Sequence, residues 1–415
     1  MNRTTCAIAP LLLLFASGLH GQDWSVFRGP RGDGSSASKN LPVQWSPTDN
    51  IAWKTPLPGQ GWSSPVLRKG LLYLTNAVAK QSDAEKPPYL LNALAIDAKT
   101  GKIIWTTQLF EEPSNFARVH SKNSHASPTP IVTKDGLFVH FGHLGTASLT
   151  LDGQIKWKTL PMEYSPVHGN GGTPVYVKGG LIFSVDGQSK TRVICLDGKT
   201  GKTNWQFDRE STAPRKFSFS TPAVITLKEQ TQIISPGSNV VHSLDAETGQ
   251  LIWKVRYDGY SVIPKPVFHQ GLLYVSTGYD SPSLYCIDPS GSGDVTETHV
   301  RWNIQRQIPH TSSLILEQGR IFMISDRGIG SCLDAGTGDT LWQQRVGGNF
   351  SSSPIINNGL VYFTSEQGDT TVIKASASYE MVATNSLGER TLASPAATDG
   401  AIYIRTAGHL FCIKQ

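Results

Sequence analysis

Five of the eleven histidines lie between positions 120 and 168, namely His120, His125, His140, His143 and His168. A zinc or copper ion needs three or so neutral imidazoles converging at about 2.0–2.1 Å, and His125, His143 and His168 are the metal candidates. Alternation along an extended strand puts His140 and His143 on opposite faces. No His-x-His or His-Glu-x-x-His unit is present to pair two ligands locally. A second chemical signal is Lys265. In seven other places the residue before a recurring strand start is Ser64, Thr129, Thr173, Thr221, Ser313, Ser353 or Ser394, and here it is a lysine. Small hydroxyl residues suit a crowded interior. A lysine there must reach water, a carboxylate or an anionic ligand to offset its desolvation.

Those positions have meaning only inside a repeat. The segment Asp-x-x-Thr-Gly-x-x-x-Trp runs from Asp97 to Trp105, Asp197 to Trp205, Asp245 to Trp253 and Asp334 to Trp342, with degenerate copies ending at Trp157 and Trp302. Upstream of each lies a strand start: Pro65, Pro130, Pro174, Pro222, Pro266, Leu314, Pro354 and Pro395. From the second onward these are 44, 48, 44, 48, 40 and 41 residues apart. Short apolar runs at that period, broken by Gly-rich turns, predict an all-β, eight-bladed propeller of four-stranded blades. The 40 glycines and 25 prolines among 415 residues fit a fold made of tight turns. The eighth blade lacks its outer strand, whereas Ile51 to Thr55 has a strand with a Trp but no preceding turn. The N-terminal strand is therefore expected to complete that blade and close the ring. The predicted organisation is a leader at 1–21, an irregular and dispensable lead-in at 22–44, and the propeller at 45–415.

The leader reading rests on Arg3, the apolar run Ala7 to Ala16, and small residues at its end. It is too short to span a bilayer, which takes about 20 apolar residues, and Cys6 precedes the apolar run, so no membrane anchor is expected. The expected location is the periplasm or the exterior, the expected state a monomer. The net charge of +5, with charged residues at 17% and no Lys/Arg cluster, argues against nucleic-acid binding. Cys195, Cys286, Cys332 and Cys412 share a repeat position that Ala95, Thr150, Ser243 and Val372 take in other blades. They are expected to be free and buried, because equivalent positions in different blades lie beyond disulfide reach.

The Asp-Ala-x-Thr-Gly units at Asp97 and Asp245, with their following tryptophans, resemble the tryptophan-docking repeats of the pyrroloquinoline-quinone (PQQ)-like eight-bladed propellers. That superfamily includes quinoprotein alcohol dehydrogenases and the propeller lipoprotein of the bacterial outer-membrane protein assembly machine. The enzymes' pattern implies a calcium-held quinone, a catalytic Asp and usually a Cys-Cys disulfide; this chain has no Cys-Cys pair, and no catalytic residue carries over by motif. The expected function is therefore binding or scaffolding of a protein or a small anionic ligand, with a PQQ- and calcium-dependent oxidoreductase as the alternative. The site is expected at the channel mouth, where outer-to-inner connections and second-to-third-strand loops share a face. Its candidate residues are Lys265, His168, Lys216, Tyr260, His310, His125 and Arg390. The second set of loops adds His143, Asp186, Asp280, Asp326, Arg327 and Glu366. Two long connections, Asn76 to Tyr89 and Phe110 to Ser124, are read as solvated insertions.

Overall fold

The computed structural model describes residues 23–81, 87–114, 119–159, 162 and 164–415; the leader lies outside them. Eight sheets succeed one another along the chain, each built on four antiparallel strands that in the first seven pair in chain order from the inside out; the sheet of blade four carries a fifth, parallel strand. Blade three is typical, with Val175–Val177, Gly180–Asp186, Thr191–Asp197 and Thr203–Asp208. In the eighth sheet the order is Ile51–Pro56, His409–Lys414, Ala401–Arg405, Ala396–Thr398. The N-terminal strand thus lies against the last strand of the chain, with Trp53 opposite Cys412.

That register explains the cysteines. Cys195, Cys286 and Cys332 stand opposite Trp205, Trp302 and Trp342, each beside a β-bulge. The position must be small because it faces an indole across the strand pair. In blade two the register gives this place to Ser148, opposite Trp157, where spacing alone selects Thr150; the shorter turn of that blade moves the frame by two. All four described cysteines are free and buried, and burial pushes the Cys195 and Cys286 thiols up to about 11.

The repeat motif is a joint between blades. The Asp carboxylate caps its own turn: Asp197 Oδ1 accepts the amides of Lys199 and Thr200 at 3.1 and 2.8 Å. The Gly takes φ of +71° and lies flat under the Trp of the preceding blade, so a Cβ at Gly201 would come within 2.6 Å of Trp157. The indole N–H then donates to the same turn, Trp157 to Gly198 O at 3.1 Å and Trp205 to Ala246 O at 3.3 Å. Trp53 docks in the same way on blade one, donating to Ala98 O at 3.0 Å. Two indoles depart from this: Trp302 packs on Gly338 with its buried N–H unpartnered among the described residues, and Trp253 bonds elsewhere. The Gly/Ser insertion of blade five folds back as Gly293–Asp294 and pairs in parallel with Trp253 and Lys254, so this indole is fully buried and donates to Gln232 instead.

Two expectations need correction. The lead-in is irregular, yet it is packed into the fold: Trp24, Arg28 and Leu41 are buried. It crosses the end of the channel. Trp24 pairs with Leu67 of blade one, Ser25 O accepts from Val132 of blade two, and Gly34 and Ser36 bond Ile356 of blade seven. The long connections around blade one are in part strand, because Leu71–Ala79, Tyr89–Asp97 and Ile103–Glu112 extend that sheet outward. Residues 82–86 and 115–118 lie outside the described residues.

Candidate functional site

The channel is built around a chain of hydroxyls. At six blade-to-blade steps the backbone N–H before one strand start donates to the hydroxyl at the same place in the next blade. These run Ser64 to Thr129 to Thr173 to Thr221, then Lys265 to Ser313 to Ser353 to Ser394, at 2.8–3.0 Å. The hydroxyl preference is thus a bonding requirement as well as a matter of size, since each buried N–H needs an acceptor. Lys265 offers no hydroxyl to Thr221. Between blades eight and one the bridge is Arg405, whose Nη1 donates to Ser63 Oγ and Thr75 O at 2.7 and 2.8 Å.

Above these anchors a cavity of about 880 Å3 opens on one face. Its walls come from the two sets of loops expected to share that face. Phe27 of the lead-in also lines it, beside the anchors Ser64, Thr173, Ser313 and Ser353. One wall is aromatic. Phe217 packs edge-on against Tyr260 and His168 with centroids 5.6 and 5.2 Å apart, and Tyr279 packs against His310 at 5.3 Å. Arg215 lies over the Tyr260 ring at 4.9 Å and donates to its hydroxyl. Burial, with His120 beside it, lowers the pKa of His168, which favours the neutral ring. The cavity's acid, Asp326, is engaged by the backbone N–H of His310 at 2.8 Å and by the Thr311 hydroxyl. Across the mouth, Lys122 Nζ reaches Glu366 at 2.8 Å, and Arg390 donates to Ser121 O at 3.1 Å.

Of the candidate residues the structure brings His168, Tyr260 and His310 to one cavity. Lys216 is not on its wall, and Arg215 is. In the loop 215–219 alternate residues, Arg215, Phe217 and Phe219, line the cavity together. Arg390 sits at the rim, 5.7 Å from the ring of Trp62. Lys265 departs most from expectation. It is buried at 8% exposure and absent from the cavity wall; its ammonium runs to the lead-in, where a Cβ at Gly32 would meet it at 2.2 Å.

Of the three metal candidates, two share one carboxylate and the third lies apart. His125 pairs with buried Glu112 at 2.5 Å and stacks on Tyr89, His143 lies 3.9 Å from the same carboxylate, and His168 belongs to the aromatic wall. Among the described residues no three His, Cys, Asp or Glu side chains form a group able to hold a metal ion. Asp186, expected at the mouth, is fully buried against Arg209 at 2.8 Å. A calcium-held quinone fits this donor set poorly. Calcium takes 6–8 oxygen ligands, and the acid on the cavity wall is already occupied by an amide and a hydroxyl.

Comparison with known proteins agrees with this architecture. The sequence profile described as "Outer membrane protein assembly factor BamB" matches residues 36–164, 152–300 and 294–414. The outer membrane protein assembly factor BamB of Yersinia pestis is 26% identical over 292 residues, which is 66% of this chain and 67% of that protein. The crystal structure of BamB from Moraxella catarrhalis superposes with a TM-score of 0.59 at 13% identity, over 88% of this chain and 99% of that one. A europium-containing methanol dehydrogenase gives 0.67 at 11% identity, over 93% and 90%. These structures share the fold, and the fold by itself does not carry their activities. With its docking repeats matched along nearly the whole described chain, the protein belongs to the BamB family of PQQ-like repeat propellers.

Proposed function

We propose that the chain is an exported envelope scaffold that holds a partner protein by taking an anionic, aromatic-bearing peptide segment into the channel mouth. The observation carrying this reading is the composition of the cavity. Its aromatic wall and the guanidinium groups of Arg215 and Arg327 face open space, while Asp326 is tied into the wall. Such a surface stacks rings and attracts carboxylates without a nucleophile being set up. The family description and the Yersinia pestis relative, both assembly factors by name, favour protein binding over chemistry.

Fluorescence anisotropy with a labelled Glu/Tyr-rich peptide and a Lys/Tyr-rich control tests it. The acidic peptide should bind more tightly, and its affinity should fall as salt screens the charges. Arg215→Ala and Tyr260→Ala should each weaken it about 5- to 30-fold, the range for an interface anchor worth about 1–2 kcal/mol, while Lys254→Ala on an outer strand leaves it unchanged. Equal binding of both peptides, or unchanged affinity in both mouth variants, overturns the reading. Stoichiometric uptake of PQQ with calcium, read by absorbance, would favour the oxidoreductase instead.

A further inference from the structure

Beneath the mouth, two cations from different parts of the chain lie against one turn of the lead-in: a Cβ at Gly32 would meet Lys265 Nζ at 2.2 Å, and one at Gly34 would meet Arg28 Nη2 at 2.8 Å. Arg28, from the lead-in, is 2% exposed, and Lys265, from blade five, is 8% exposed. The Arg28 guanidinium uses Nη2 to donate to Leu314 O and Asp33 O, at 2.5 and 2.8 Å. Its Nε and Nη1 are buried with no hydrogen-bond partner among the described residues. Lys265 uses its backbone N–H on Ser313 Oγ, and its ammonium has no hydrogen bond or ion pair among the described residues. The nearest acid is turned elsewhere: Asp33 Oδ1 accepts from Ser35, and Oδ2 lies 3.5 Å from Arg31.

A buried charge is tolerated when it is paired and hydrogen-bonded. Here two like charges lie against one turn, the guanidinium with donors to spare, and the neighbouring chain is shaped to let Lys265 in. Gly29, Gly32 and Gly34 all have φ between +68° and +87°, and a Cβ at Gly32 would displace the Lys265 ammonium from where it lies. We infer that this pocket is an anion site, in which one small monovalent anion of halide size is held between the Arg28 guanidinium and the Lys265 ammonium and fastens the lead-in across the channel. The anion satisfies the unpaired donors and offsets both charges at once.

The pH behaviour follows. Burial first, then the charge of Arg28, lowers Lys265 to about 7, with Asp33 pulling weakly the other way. Binding of an anion to the protonated form draws a proton in, so affinity is highest below pH 7 and falls as the lysine deprotonates above it. Arg28, lowered to about 10 by the same burial, stays charged throughout this range.

The test replaces sodium isethionate by sodium bromide at constant ionic strength and follows the melting temperature of the whole chain. At pH 6.5 the wild type should show a saturable rise that is much smaller at pH 9 and missing in Lys265→Met. Crystals grown in bromide at pH 6.5 should give an anomalous peak in contact with both Arg28 and Lys265. No halide dependence at pH 6.5, or an equal rise in Lys265→Met, overturns the inference. Should that variant fail to fold, equal rises at pH 6.5 and pH 9 in the wild type overturn it just as well.

Discussion

Arg209 and Asp186 form a fully buried ion pair whose partners lie in blade three and whose remaining donors reach blade four. Arg209 also donates to Ser235 O, Ser235 Oγ and Ser184 Oγ at 2.7–2.9 Å. Removing one member strands the other charge. Asp186→Ala should therefore lose about 3–5 kcal/mol in urea unfolding, whereas Asp186→Leu with Arg209→Met should lose much less than two such losses combined. His140 makes the matching point for a proton. It is buried beside His143, against Phe183, with Nδ1 on Thr146, and burial lowers its pKa to about 3. Below the unfolded value of about 6.5 the unfolded chain binds a proton that the folded chain refuses, so stability falls as pH falls. At pH 5 this one group should remove about 2 kcal/mol. His140→Gln should reduce the slope of stability against pH between 5 and 6.5, measured by urea melts; an unchanged slope would show that His140 is not the titrating group.

At the scale of the element, the docking turn depends on a glycine for two separate reasons. Gly201 has a positive φ and also lies against the Trp157 indole, whereas Gly179 has a φ of +82° and a Cβ there would meet nothing within 4 Å. The left-handed backbone costs a non-glycine residue about 1–2 kcal/mol, and overpacking adds about 1–3 kcal/mol. Gly201→Ala should thus destabilise by about 2–5 kcal/mol and Gly179→Ala by about 1–2 kcal/mol. Thermal melts of the two variants decide it: equal losses would mean that the Trp contact contributes nothing.

For the whole molecule, the ends of the chain are the sensitive place. Ile51–Pro56 sits against the last strand, and Lys54 Nζ binds Glu389 at 2.7 Å, while Glu389 also accepts from Thr406 and His409. Deleting residues 22–57 exposes a strand edge in the eighth sheet and a docking turn in blade one, and should abolish cooperative unfolding. Deleting 22–44 leaves that strand but removes buried Trp24, Arg28 and Leu41, so it should lower the melting temperature while a single transition survives. Retention of the full-length melting temperature after the longer deletion would show that the N-terminal strand does not hold the ring.

The sequence alone determined the blade count, the docking role of the tryptophans and the place of the small residues. These are local properties repeated at one period, and a repeat multiplies a weak signal. It also determined which loops share a face, because strand order within each blade dictates that. It did not determine which side chains look into the channel. Arg215, and not its neighbour Lys216, lines the cavity, because the choice depends on the path of a loop with no regular structure. Lys265 was assigned to the mouth because the lead-in had no repeat and no periodicity to announce that it would cross the channel beneath. Only the tertiary structure brings Gly32 to the ammonium of Lys265 and Gly34 to the guanidinium of Arg28, since contacts between residues more than two hundred positions apart, such as Gly32 with Lys265, leave no trace in local pattern.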